Sequence, residues 1–562
     1  AVTYSPPGDV RPASPRDIAD LRTAIEGQFA PEIDLTGWGV LLLNAISSRD
    51  GLEEVIVGGA VAGLLRERGT FQPRADLAAT IHPQRSLVEA DPGARASLLE
   101  SSNLMMPGVL RTTDDVVPGA EVVITVEGEV VAVGRSRIHA GAAGRRERGV
   151  AVKVRSRPSG VTYLTRRSSL DDAVASNVEE LRRLERRAVE AILRVTRALD
   201  LPVVVSFSGG KDSLATLLLV LEAGLRPEML FVDTRMELPG TLEYVRGVAD
   251  AHDLELVVAD AGDAFRRGLA YFGPPAKDYR WCCKTNKLGP TALAIRERYP
   301  DGVLSFIGQR RYESRTRARS GARWDNPWVP GQRAFSPIQE WTSLHVWLYL
   351  LWKGADVNPW YSRGLERIGC AICPAADESE GALIAEQVDL SWWHREIVGY
   401  AREVGLLEAW ASGPWRWRRP SGAATGADPE MFEHRHADAL RFGRRGDAVL
   451  VSASDGDMFL LPILDGRDVE IDRTDAGLLI RGDDRDLALQ LLVRAHSCVG
   501  CGICTARCPS GALGLEGGGE ADDGPRLTYD PALCTRCLEC LGPCPVVDFH
   551  PLRFRPGMPD RR

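Results

Sequence analysis

The sequence predicts a multidomain α/β protein: a central doubly wound parallel sheet, a β-rich unit before it and a small α+β module after it. Three observations predict this. The chain has 562 residues, more than one hydrophobic core usually organises, so several domains are expected. The apolar, β-branched run Leu201–Val205 leads through Ser206-Phe207-Ser208-Gly209-Gly210-Lys211-Asp212-Ser213 into an apolar helical pattern over Leu214–Leu221, which reads as strand, glycine turn and helix. Finally, all 12 cysteines fall in short motifs: a CC pair, a CxxC pair and two CxxCxxCxxxCP runs.

The glycine turn is built to hold an anion. Two glycines let backbone amides approach a phosphate, the helix start adds partial positive charge, and Lys211 with the serines adds donors. A second β-type run, Met229–Val232, ends in Asp233-Thr234, at the strand edge where open α/β sheets bind ligands. The candidate nucleotide-binding residues are therefore Ser206, Ser208, Gly209, Gly210, Lys211, Asp212, Ser213, Asp233 and Thr234. The order SGGKDS lacks the four-residue gap of a Walker loop and resembles the PP-loop of the N-type ATP pyrophosphatases. That resemblance implies cleavage of ATP between its α and β phosphates, with Ser208 to Lys211 and Ser213 cradling pyrophosphate and Asp212 helping to place Mg2+.

Cys498, Cys501, Cys504 and Cys508 before Pro509 repeat the spacing of Cys534, Cys537, Cys540 and Cys544 before Pro545. The pattern matches bacterial ferredoxins, in which three thiolates of one run and the fourth of the other hold each 4Fe-4S cluster. Cys498, Cys501, Cys504 and Cys544 would hold one cluster, and Cys534, Cys537, Cys540 and Cys508 the other. Without a secretion signal, such spacings read as metal sites rather than disulfides.

Trp281-Cys282-Cys283-Lys284, Gly308-Gln309-Arg310-Arg311-Tyr312-Glu313-Ser314-Arg315, Asn358-Pro359-Trp360-Tyr361 and Gly369-Cys370-Ala371-Ile372-Cys373-Pro374 together resemble the adenylyl sulfate (phosphoadenosine phosphosulfate, PAPS) reductase family over about residues 200 to 378. The resemblance implies a third 4Fe-4S cluster on Cys282, Cys283, Cys370 and Cys373, with catalytic roles for Arg310 and Arg315 beside Lys211 and Asp212. Two features depart from those reductases. Their phosphate loop is usually altered, whereas SGGKDS is intact here; and they use an extra nucleophilic cysteine, whereas every cysteine here belongs to a cluster motif.

Upstream, residues 36 to 160 show short alternating apolar runs, among them Val122–Val126 and Val130–Gly134 around the hairpin turn Glu127-Gly128. Asp91-Pro92-Gly93-Ala94, Pro107-Gly108-Val109-Leu110, Asp115–Gly119 and Val131–Arg135 resemble a PUA domain, which implies a compact barrel and a structured RNA partner such as tRNA. Arg145, Arg146, Arg148, Lys153, Arg155, Arg157, Arg166 and Arg167 form a basic group able to neutralise phosphates or to serve as an ordinary solvated face. Gly8-Asp9-Val10-Arg11-Pro12-Ala13 is similar to the lead-in of archaeal proteins joining a PUA domain to this reductase family. Ser176 or Asn177 is expected to cap a helix reaching Leu199.

The expected units are an α+β lead-in over 1–80, a PUA-like barrel over 81–160, the PP-loop and PAPS reductase-like domain over 170–380, a connecting domain over 381–490 and a ferredoxin-like module over 491–562. In the connecting domain, Trp392, Trp393, Trp410, Trp415 and Trp417 read as core or interface residues, and His434 and His436 as solvated. A net charge of −8 gives no global field for nucleic acid, and no apolar run is long enough to span a bilayer. With no secretory start, a cytoplasmic location and no membrane partner are expected.

The function these features imply is ATP-dependent adenylation coupled to ferredoxin-driven sulfur insertion into RNA, supplied by a low-potential electron donor. The alternatives are a reductase making sulfite from adenylyl sulfate or its 3′-phosphorylated form, and an RNA-binding electron carrier.

Overall fold

The computed structural model of the protein describes residues 8–29, 32–46, 51–66, 69–142, 148–163, 168–417, 440–517 and 525–550. Arg145, Arg146, Arg166, Arg167, His434 and His436 lie outside them. Among the described residues, no helix is long and apolar enough to cross a membrane.

The chain opens with an antiparallel five-stranded sheet, Arg11–Pro12, Leu41–Ala45, Leu52–Val57, Ala60–Arg66 and Thr70–Pro73, in that spatial order. Helix Pro15–Gln28 covers it, started by Ser14 in a reciprocal capping box with Asp17. A six-stranded mixed sheet follows over residues 87 to 156, in which Glu121–Val126 and Glu129–Ser136 form the expected hairpin. Glu127 and Gly128 have φ of 54° and 83°, the left-handed pair that a two-residue hairpin turn requires. The two sheets share a core: Val123 and Val133 of the second pack with Ile25, Phe29, Val55 and Phe71 of the first. Of the basic group, Arg157 is committed to the fold, donating to the carbonyls of Leu98 at 2.6 Å and Ser102 at 3.0 Å.

Helix Leu170–Leu199 leads to the central sheet. It begins earlier than expected: Ser169 is the cap, its hydroxyl accepting from the Asp172 amide while Asp172 accepts from the Ser169 amide. Asp171 and Asp172 suit the positive helix start, and Ala173 and Val174 already pack against the central core, so the turn before Ser176 belongs to the helix. Leu181, Ala188 and Ile192 form its buried stripe.

The central sheet runs Leu256–Asp260, Glu228–Asp233, Val203–Ser206, Val303–Ile307, Gln332–Phe335 and Arg323–Asp325. All neighbours are parallel except the last pair. Strand order reverses between Val203–Ser206 and Val303–Ile307, so the crevice beyond their carboxyl ends is the topological switch point, where such sheets bind ligands.

Past residue 380 one apolar core spans the residues of the expected connecting domain, the C-terminal module and part of the central domain. Trp393, Ile397 and Trp410, the four-stranded antiparallel sheet over 442–481, helix Arg485–His496 and the C-terminal module all pack into one cluster with Phe265, Phe272 and Trp281 of the central domain. Trp393 and Trp410 are buried, whereas Trp392 and Trp417 are exposed. The C-terminal module is α+β: strands Leu513–Glu516 and Arg526–Tyr529 pair antiparallel, and helices Ile503–Arg507 and Pro545–Asp548 each adjoin a cysteine run.

Candidate active site

The phosphate loop occupies the switch point. Val203–Ser206 ends at Ser206, whose hydroxyl meets that of Ser305 on the next strand at 2.8 Å. Gly209 has φ of 76°, a conformation open to glycine at little cost, and helix Lys211–Glu222 starts at once. Within the turn, Ser208 N–H donates to Ser213 Oγ at 3.2 Å and Ser213 Oγ donates to the Gly210 carbonyl at 2.8 Å. The Lys211 amide donates to the Tyr361 hydroxyl at 2.8 Å, so the Asn358–Tyr361 motif braces the helix start.

The cationic side chains face inward. Lys211, only 4% exposed, places Nζ 3.1 Å from Asp212 Oδ2 and 3.3 Å from the Glu366 carbonyl. Arg310, 2% exposed, donates from Nε to Asp212 Oδ1 at 2.5 Å and from Nη1 to Asp9 Oδ1 at 2.8 Å. Burial alone would raise the Asp212 carboxyl, but Lys211 and Arg310 overcome it and hold the group below its ordinary range. Gly308 permits this: a Cβ there would lie 2.4 Å from the Asp212 carbonyl carbon. Arg315 opens the short helix Arg315–Arg319, and its side chain is outside the described set. Asp233 accepts from the Arg235 amide at 2.8 Å, while Thr234 turns to Glu237, donating from N–H at 2.9 Å and from Oγ1 at 2.7 Å.

Thr234 is also the bridge to the cysteines. Its Oγ1 lies 3.6 Å from Cys370 Sγ, and Glu237 pairs with Cys370 as an isolated antiparallel bridge. Cys282 and Cys283 sit in a helix, Trp281–Cys283, that continues through a π-helical turn, Lys284–Leu288, into Gly289–Arg298; such π turns concentrate at functional sites. Cys282, Cys283, Cys370 and Cys373 lie within electrostatic reach of one another. The hydrogen bond from Cys282 holds the Cys283 thiol well below its usual value against the pull of burial, with Arg280 and Lys287 assisting. Arg280 Nη2 reaches Cys283 Sγ at 3.2 Å. Neither cation was legible as a site residue in the motif, although Lys287 stands one helical turn beyond Cys283.

The paired cysteines are anchored by Trp281. Its ring is fully buried, stacks on Phe265 at 5.6 Å and Phe272 at 5.2 Å, and donates from Nε1 to the Gly273 carbonyl at 3.1 Å. A Cβ on Gly268 would lie 2.0 Å from that ring, so the helix carrying Gly268 fits closely around it. Trp281→Ala is expected to lower stability by about 3–5 kcal/mol, read as a fall in the denaturation midpoint, and to loosen the Cys282-Cys283 pair that follows.

In the C-terminal module the cysteines sort into two cavities. One is lined by Cys498, Cys501, Cys504 and Cys544, the other by Cys508, Cys534, Cys537 and Cys540. Each thus takes three thiols from one run and the Pro-adjacent fourth from the other. All twelve cysteines are free thiols; four soft donors around one cavity fit an iron–sulfur cluster. Arg494, buried between the cavities, donates to the carbonyls of Cys540 at 2.8 Å and Gly542 at 2.6 Å, supplying positive charge where thiolates gather. The loop of the first cavity abuts the central domain: a Cβ on Gly289 would lie 2.3 Å from the Cys501 carbonyl oxygen, and Arg267 Nε donates to the Val499 carbonyl at 3.2 Å.

Comparison with known proteins matches this layout. The family model for the phosphoadenosine phosphosulfate reductase domain covers residues 202–376, that for the PUA domain 87–157, and that for the 4Fe-4S dicluster domain 497–547. An uncharacterized protein of Methanocaldococcus jannaschii is 32% identical over 444 residues, covering 74% of this chain and 91% of its own length. A phosphoadenosine 5′-phosphosulfate reductase of Gloeobacter violaceus is 28% identical, covering 35% of this chain and 84% of its own, and an adenosine 5′-phosphosulfate reductase of Deinococcus radiodurans is 30% identical, covering 28% and 60%. Among solved structures, a PUA domain protein of Thermoplasma acidophilum aligns with a TM-score of 0.23 at 24% identity, covering 27% of this chain and 94% of that one. The phosphoadenylyl-sulfate reductase of Candida auris aligns with a TM-score of 0.27 at 19% identity, covering 34% and 94%.

Proposed function

Because the chain belongs to the phosphoadenosine phosphosulfate reductase family, with a PUA domain before the reductase domain and a 4Fe-4S dicluster domain after it, we propose that this enzyme uses ATP to adenylate a carbonyl oxygen of an RNA base and replaces that oxygen with sulfur. The observation that carries the proposal is the complete phosphate loop, with Lys211 and Arg310 buried around Asp212. A sulfonucleotide carries no β,γ-pyrophosphate and would not need that loop.

In this reading Ser208, Gly209, Gly210, Lys211 and Ser213 hold the β and γ phosphates, and Lys211 and Arg310 stabilise charge that develops as pyrophosphate leaves the α-phosphorus. Asp212 is the carboxylate offered to Mg2+, and Asp233 and Thr234 line the adjoining strand edge. The base oxygen, a poor leaving group, becomes part of a phosphate ester; sulfur at the sulfide level then attacks the carbon, and AMP departs with the oxygen. Cys370 lies against Thr234 at that edge, within electrostatic reach of Cys282 together with Cys283 and Cys373, and the four thiols, balanced by Arg280 and Lys287, suit a third 4Fe-4S cluster. Sulfur arriving at the persulfide level needs two electrons to be released as sulfide, and the three clusters would pass these one at a time from a low-potential donor. The PUA domain is the part that holds a structured RNA.

A second reading, reduction of adenylyl sulfate or its 3′-phosphorylated form to sulfite, is favoured by the relatives named as reductases. One assay separates the two. On anaerobically purified protein, pyrophosphate release from ATP is measured with and without cellular RNA, beside sulfite release from both adenylyl sulfates. RNA-stimulated pyrophosphate release is the expected result; sulfite formation without ATP cleavage would replace this reading by the second.

A further inference from the structure

The residues ahead of the first strand leave their own sheet and enter the nucleotide site. The Asp9 amide donates to Asn44 Oδ1 at 3.0 Å, and Gly8 is confined to glycine there, since a Cβ would lie 2.3 Å from the same oxygen. Val10 packs with Leu42 and Ile56 in a small cluster against which Leu344 of the central domain rests. So fixed, the Asp9 carboxylate accepts from Arg310 Nη1 at 2.8 Å and from the Ser343 amide at 2.6 Å.

Two residues on, Arg11 repeats the reach. It pairs with Asp17 at 2.6 Å and Glu53 at 2.9 Å within the N-terminal unit and with Glu366 of the central domain at 3.2 Å. The carbonyl of that same Glu366 accepts from Lys211 Nζ. Both cations of the nucleotide site are thus tied to the N-terminal sheet: Arg310 directly through Asp9, Lys211 through Glu366 and Arg11. A guanidinium buried between two carboxylates is oriented by both, and loss of one leaves it to the other. Without the Asp9 charge, Arg310 keeps Asp212 at 2.5 Å and the more distant Glu313 at 3.9 Å, so it bears mainly on Asp212 and competes harder with Lys211 for it.

We propose that Asp9 is a positioning residue of the nucleotide site, setting Arg310 and through it the Asp212–Lys211 pair, so that nucleotide turnover requires the docked N-terminal unit. The inference rests on the reading that this loop turns over a nucleotide.

The test compares the full-length protein with Asp9→Asn and Asp9→Glu, measuring nucleotide kcat and KM, Mg-ATP and adenylyl sulfate affinity, and the melting curve. Asp9→Asn keeps shape and an acceptor oxygen but removes the charge; kcat is expected to fall about tenfold or more with a melting curve near that of the wild type. Asp9→Glu restores the charge with displacement, and is expected to recover part of kcat. A shifted melting curve with kcat and affinity within twofold of wild type would mark Asp9 as merely structural and overturn the inference. If Asp9→Asn does not fold, Asp9→Ser, which also removes the charge, decides: kcat within twofold of wild type overturns the inference, reduced kcat in a folded protein supports it. The wild type tests the underlying reading separately. If it cleaves no ATP but forms sulfite, the ATP reading fails and the same comparison is made on sulfite formation; if it neither binds nor turns over either nucleotide, both fall.

Discussion

Cys544→Ala is expected to abolish the cluster built mainly by the other cysteine run, leaving the one built by its own. The expectation follows from the crossed lining of the two cavities, in which Cys544 stands with Cys498, Cys501 and Cys504 while Cys508 stands with Cys534, Cys537 and Cys540. Removing one of four thiolates exposes an iron and usually costs the whole cluster, about four irons per chain. Iron content and the electron paramagnetic resonance spectrum of the reduced protein provide the readout. Cys544→Ala and Cys501→Ala should remove the same signal, and Cys508→Ala and Cys534→Ala the other. If Cys544→Ala instead matches Cys534→Ala, each run holds its own cluster and the crossed assignment is wrong.

Lys211→Ala should lower RNA-stimulated pyrophosphate release by about 10²- to 10³-fold, the usual cost of deleting one preorganised donor from a site where charge develops. The ammonium is almost wholly buried and spans Asp212 and the Glu366 carbonyl, so alanine leaves both acceptors without it. Iron content should stay at the wild-type value, because the cysteine groups are held by other segments. Pyrophosphate release within threefold of wild type would remove Lys211 from the chemistry.

What the sequence made legible was local. Strand, glycine turn and helix around Ser208–Ser213 are written in consecutive residues, and so is the hairpin at Glu127-Gly128. The repeated cysteine spacing carried the crossed grouping only through its resemblance to bacterial ferredoxins, since the fourth thiol of each cavity comes from the other run. The cap at Ser169 was equally local, a Ser-x-x-Asp box, but it precedes the apolar periodicity that marks a helix and so escaped notice. The contact between Asp9 and Arg310 joins residues 301 positions apart, with no periodicity to announce it. Single charged residues gain meaning only once two sheets have docked, which is why Asp9, Arg11 and Glu366 were silent while Arg310 was named through its motif. The packing across residue 380 was silent for a related reason: a change of composition marks a change of secondary structure, and says nothing of an apolar core that spans both sides.

The close fit of Gly289 against the Cys501 carbonyl bears on kinetics. A separate carrier protein reaches its acceptor by diffusion, at a rate set by its concentration and, for charged partners, by salt. Under the proposed function, the dicluster module sits against the helix that continues from Cys282 and Cys283, so the encounter is intramolecular and its effective concentration is set by geometry. Delivery inside the chain should therefore be first-order, indifferent to dilution and to ionic strength, leaving only the initial loading from outside to respond to either.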